Sequence, residues 1–101
     1  MEVSVSIEGN VATFAVNGSL NTNTAPELEG IISETFAENP SVTSAVFDFT
    51  NLEYISSAGL RVLMVAYKTV AAKGGAVSIE GASDEVQEVF DITGFSDLFN
   101  G

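Results

Sequence analysis

The chain contains no histidine and no cysteine. The first absence removes the side chain most often used as a general base near neutral pH. The second removes thiolate nucleophiles, disulfides and soft metal ligands. A serine nucleophile would need Lys68, Lys73 or a carboxylate as its base, and both lysines lie turns away from the serine pair at 56–57. No nucleophile elbow, phosphate-binding loop or dinucleotide fingerprint occurs. Basic residues are nearly absent too: three against 14 acidic ones, for a formal net charge of −11. Such a surface repels nucleic-acid backbones and anionic lipid heads, and steers toward a basic patch on a protein partner. No apolar run is long enough to span a bilayer, and residues 1–8 alternate instead of resembling a signal peptide. Together these absences predict a cytoplasmic protein that is not an enzyme, with no cofactor, no metal, no nucleic acid and no membrane partner.

What is present is material for a core. Of 101 residues, 46% are apolar and seven are phenylalanine, which supports one domain over residues 1–101 and argues against disorder. Val3, Val5 and Ile7 alternate with polar residues, Gly9-Asn10 is a tight turn, and residues 11–16 read as a returning strand. Residues 17–23 read as a polar loop. Thr24 with Glu27 three residues on predicts a capping box, and Pro26 fits the first turn of a helix whose face is Leu28, Ile31, Ile32 and Phe36. Asn39-Pro40 ends it. Residues 45–49 form a short apolar strand interrupted by Asp48, and residues 51–53 turn toward the serines.

From 57 to 73, Leu60, Leu63, Met64, Tyr67, Val70 and Ala71 repeat at helical spacing, and Gly74-Gly75 ends the run. Residues 76–80 form a further strand. Ser83 caps a short helix with Val86, Val89 and Phe90 inward, and Phe95, Leu98 and Phe99 form a last apolar patch. Strand and helix alternate after an opening hairpin. The expected fold is therefore α/β, with a mixed, mostly parallel sheet of about four to five strands and helices mainly on one face.

Tyr54-Ile55-Ser56-Ser57-Ala58-Gly59-Leu60-Arg61 is the most informative run. It sets two hydroxyls where a strand ends and the longest helix begins. Unpaired N–H groups and the helix dipole make that junction tolerant of negative charge. The serines read either as helix caps or as a site that can carry a phosphate, and the two roles are compatible. Gly59 costs about 1 kcal/mol in a helix against alanine, a cost offset by close approach of a neighbouring loop or a partner. Val62, Val65 and Thr69, flanked by Arg61, lie opposite the core stripe; they either form a docking patch or touch another element of the same domain. Most carboxylates fall on helix surfaces. Asp48 at a strand edge reads first as an acceptor for nearby loop N–H groups and second as a ligand site.

Four segments in order resemble the STAS domains, and within them the bacterial anti-sigma-factor antagonists. Residues 54–60 are similar to the D-S-S/T-G-L signature, Gly18-Ser19-Leu20-Asn21 to G-x-L-D, Val46-Phe47-Asp48-Phe49 to V-x-D-L, and Gly74-Gly75 with residues 86–94 to the later motifs. The resemblance covers almost the whole chain. It implies a STAS-like domain that binds an anti-sigma factor, itself a serine kinase, and leaves it on phosphorylation, with a serine phosphatase possibly resetting the state. Aligned on Gly59-Leu60, the phosphoacceptor falls on Ser57. The partner-binding surface it implies comprises Asn21, Thr22, Ser56, Ala58, Gly59, Arg61, Val62 and Val65. Two carboxylates of the family pattern are missing, because Ser56 and Asn21 stand where aspartates are expected. That departure leaves open a constitutive interaction or sensing module that is never phosphorylated.

Overall fold

The protein was studied as a computed structural model that describes residues 1–97. Leu98 and Phe99 of the expected last patch lie outside the described residues, and Phe95 is partly buried against the core. The elements run β1 (Glu2–Glu8), β2 (Val11–Leu20), α1 (Ala25–Glu38), β3 (Ser44–Asp48), β4 (Leu52–Ile55), α2 (Ser57–Ala72), β5 (Val77–Glu80) and α3 (Asp84–Thr93), followed by a short 3-10 turn. The sheet order is β1-β2-β3-β5, with β4 on the end of β2. The β1–β2 hairpin is antiparallel, and every other pairing is parallel. The α/β architecture with an opening hairpin is thus the one expected.

Register explains which face is covered. Ala12 opposes Ala45, Phe14 opposes Phe47, and Ala45 opposes Val77. All five are buried, whereas Val11, Thr13, Ala15, Val46 and Ser78 on the other face are only half-buried. The period-two alternation of β2 therefore sends one set of side chains to the helices and leaves the other toward solvent. Phenylalanine knits the covered side together. Ring centroids step from Phe36 to Phe14 (6.5 Å), Phe47 (5.3 Å), Phe49 (5.9 Å) and Phe90 (6.3 Å). This series runs from α1 across the middle strands to α3, with spacings suited to offset aromatic contact. Lys73 Nζ lies 5.9 Å from the Phe36 centroid and ties the end of α2 to α1.

Three expectations are corrected. Residues 17–20, read as loop from their turn-forming composition, continue β2. Leu20 is fully buried and holds the strand in place. The register break falls between Gly18 and Ser19, where Gly18 adopts φ +98°, so a glycine absorbs the irregularity. Residues 52–55 form β4, although residues 51–53 read as a turn; Leu52 and Ile55 are buried and anchor this four-residue strand. The Thr24 capping box does not form. The Thr24 hydroxyl donates to the Ser19 carbonyl (2.8 Å) and accepts the Asn21 N–H (2.8 Å), so it locks the preceding loop and caps nothing.

Candidate functional site

Two chain segments meet at one end of the sheet. The first follows β2. Asn21 Oδ1 accepts the N–H groups of Asn23 (2.9 Å) and Thr24 (3.1 Å), and the Asn21 carbonyl accepts the Ala25 N–H (2.8 Å). This Asx-type turn fixes residues 21–24 as a compact loop. The second follows β4 and enters α2. β2 and β4 run parallel, and the Ser56 N–H donates to the Leu20 carbonyl (2.9 Å), so the two segments emerge side by side.

The serine pair divides its roles. Ser56 is extended (φ −99°, ψ 175°), and its Oγ accepts the Gly59 N–H at 3.3 Å, which makes it the helix cap. Ser57 is the first residue of α2 and is exposed. Its hydroxyl has no hydrogen-bond partner among the described residues. Ser56→Ala is expected to lower stability by about 1 kcal/mol. Ser57→Ala should stay within about 0.5 kcal/mol of the parent in urea unfolding. Equal losses would show that the cap is shared.

The remaining candidate residues separate by depth. Thr22, Ala58, Arg61 and Val65 line one groove between α1 and α2, of about 220 Å³, with Pro26 and Glu29 on its other wall. Thr22 and Arg61 are exposed, Ala58 is half-buried, and Val65 is 41% exposed. A second, more apolar groove of about 230 Å³ continues along the same helix pair past Ile32, Phe36, Ala66 and Thr69.

Val62 and Gly59 take the intradomain alternative of the two that the sequence leaves open. Val62 is only 5% exposed: it packs into the helix interface and forms the floor of both grooves. The α2 core stripe is rotated toward Val62 and Ala66, because α1 covers that flank, while Ala71 is exposed. Gly59 is buried, and a Cβ there would stand 2.8 Å from Leu20 Cγ and 3.0 Å from Ile55 Cγ1. The close approach that favours glycine is therefore made by this domain's own side chains.

The STAS domain family matches residues 2–101. The chain belongs to that family. Among curated STAS relatives, the anti-sigma-B factor antagonist of Bacillus subtilis is 26% identical over 99% of this chain and 91% of its own. An anti-sigma factor antagonist from Mycobacterium paratuberculosis superposes with a TM-score of 0.81 at 24% identity, covering 97% of this chain and 81% of that one. SpoIIAA, an anti-sigma factor antagonist, shares the fold in its unphosphorylated form (TM-score 0.75, 18% identity, 89% and 82% covered). The phosphorylated Bacillus form does so as well (0.77, 17%, 97% and 88%). The names of these relatives describe antagonists of anti-sigma factors and no catalytic activity.

Against the STAS pattern, the two departures have structural explanations. Ser56 keeps an oxygen at the cap, so losing an aspartate there does not uncap the helix. Asn21 keeps its acceptor oxygen on two N–H groups, so the loop holds its shape without a carboxylate. What changes is charge: two negative groups are absent beside Ser57. Asp48 belongs to the scaffold. It accepts the Thr50 hydroxyl (2.6 Å) and N–H (3.0 Å), and these bonds, the hydroxyl first, hold its carboxyl below the usual range. Among the described residues, no cluster of three acidic side chains is arranged to hold a metal ion, and no helix is long and apolar enough to cross a membrane.

Pro26 and Glu29 of α1 were not singled out as site residues. The signal for Glu29 is positional: Ala25, Glu29, Ile32, Ser33 and Phe36 follow helical spacing and define the face that α1 turns toward α2, whereas Pro26 reads only as a first-turn residue.

Proposed function

We propose that this chain is an anti-sigma factor antagonist that acts in the bacterial cytoplasm by partner switching. With Ser57 unmodified it binds an anti-sigma factor that is also a serine kinase, which frees a sigma factor. Phosphorylation of Ser57 ends the complex, and a serine phosphatase restores it. The observation that carries this reading is the pairing at the start of α2. Ser56 takes the cap, while Ser57 presents an exposed, unbonded hydroxyl at the positive end of a 16-residue helix. The named function of the curated relatives and the two phosphorylation forms of SpoIIAA support it.

The contact surface comprises Asn21, Thr22, Ser56, Ala58, Arg61 and Val65, with Gly59 and Val62 shaping it from beneath. A phosphate carries roughly 1.5 to 2 negative charges at neutral pH. The helix end tolerates that charge in the free protein, whereas burial against a docked partner is costly. The test is incubation with the cognate anti-sigma kinase and ATP, then peptide mapping by tandem mass spectrometry. One phosphate on Ser57 is expected. Phosphate on Ser56, or none, would overturn the assignment. The absence of aspartates at positions 56 and 21 favours a second reading, in which the module binds constitutively and Ser57 is never modified. The unmodified outcome, with binding retained, would select it.

A further inference from the structure

The sheet edge at β1 is only partly covered. The alternation of Val3, Val5 and Ile7 marks one face of β1 for burial, yet Val5 and Ile7 are each 41% exposed. With Ile31 of α1 they form the apolar floor of a groove of about 290 Å³, bordered by Glu34 and Glu38. Beside this groove β1 pairs only with β2 among the described residues, so its outer edge presents unmatched backbone donors and acceptors. Edge strands are commonly protected by lysine, proline or a bulge. β1 contains no lysine or proline, and its pairing with β2 runs in unbroken register.

Charge specifies what fits there. Residues 1–40 carry six carboxylates (Glu2, Glu8, Glu27, Glu29, Glu34, Glu38) and no lysine or arginine. All three cations, Arg61, Lys68 and Lys73, lie on α2 or at its end. A second copy of the chain would bring an equally anionic edge and a second net charge of −11, and is repelled. A purely polar segment would leave Val5, Ile7 and Ile31 unmatched.

We infer that the β1–α1 groove is a docking site for an extended peptide segment of a partner protein, with alternating apolar and basic residues, added as a further strand on β1. Its backbone completes the ladder. Its apolar side chains lie beside Val5, Ile7 and Ile31, while the lysines or arginines that alternate with them point to the open face, toward Glu2 and Glu8, and Glu34 and Glu38 add the negative field at the rim of the groove. This site is separate from the surface around Ser57 and does not depend on the function proposed for it.

A synthetic peptide, acetyl-Lys-Val-Lys-Val-Lys-Val-Lys-amide, serves as the probe against the full chain. Backbone amide shifts should concentrate on β1 and the second half of α1. Affinity should fall with added salt, since screening acts over roughly 8 Å at physiological ionic strength. The double variant Glu34→Lys/Glu38→Lys should lose about tenfold or more in affinity. Glu85→Lys/Glu88→Lys on α3 and Ser57→Asp should each leave affinity unchanged. Several results would overturn the proposal: no binding at low salt, shifts spread evenly over the acidic surface, or equal loss in the α3 variant. Sedimentation showing a dimer of the free chain that Val5→Lys dissociates would do so too, by making a second copy the occupant.

Discussion

Replacing Ser57 with aspartate is expected to weaken binding of the anti-sigma factor by about a hundredfold or more, while thermal unfolding stays at or slightly above the parent value. The two halves of this expectation have different causes. In the free protein the new carboxylate sits in the first turn of α2, at the helix end that stabilises negative charge by about 0.3 to 1 kcal/mol. In the proposed complex the same group is enclosed against the partner, with Arg61 one turn further along α2 as this chain's cation on that helix face. Each 1.4 kcal/mol of penalty is about a tenfold loss in affinity, and an unpaired enclosed charge costs several kcal/mol. Ser57→Ala, which adds no charge, should retain binding. Calorimetric titration with the cognate anti-sigma factor measures both. Equal affinity for Ser57→Asp and the parent would remove the switch from the proposal, and loss of affinity in Ser57→Ala would make the hydroxyl a contact instead of a regulatory position.

Phe47→Ala is expected to be the most damaging single core truncation. Phe47 is fully buried at the middle of the aromatic series, 5.3 Å from the Phe14 ring and 5.9 Å from the Phe49 ring. Removing a buried phenylalanine ring costs about 3 to 5 kcal/mol through lost transfer energy and the cavity left behind. Domains of this size are stable by about 5 to 15 kcal/mol, so a large share of the total would go. At about 4 to 8 °C per kcal/mol, the melting temperature should fall by more than about 12 °C. Scanning calorimetry reads this directly. A fall under about 5 °C would mean that neighbouring side chains refill the space and that the series is not a continuous support.

Most of the architecture was legible because it rests on periodicity. The 3.6-residue repeat through Leu60, Leu63 and Val70 located α2, and Ser83 located the start of α3, where its hydroxyl accepts the Val86 N–H at 3.2 Å. The failures cluster where tertiary contact overrides local chemistry. Asn17, Gly18 and Ser19 have turn composition, but fully buried Leu20 and the parallel partner β4 hold them in a strand. Leu52–Ile55 is too short to show alternation, and its two inward residues are spaced by a register irregularity. Thr24 and Glu27 have capping-box spacing, yet the Ser19 carbonyl competes successfully for the hydroxyl.

At the candidate site, the position of Ser57 at the helix start followed from sequence pattern. The division of labour between the two serines did not, because adjacent hydroxyls are distinguished only by backbone torsion. Periodicity alone left Val62 open between a docking patch and a contact within the domain. α1 adds a second covered flank, which widens the buried arc of α2 to include Val62 and Ala66.

The bond from the Ser56 N–H to the Leu20 carbonyl has a consequence for how such proteins diverge. It is made by main-chain atoms, so the spacing between the two recognition segments is independent of which side chains occupy them. Side chains at these tips can therefore be exchanged, and the charge they present altered, with the spacing of the underlying frame kept.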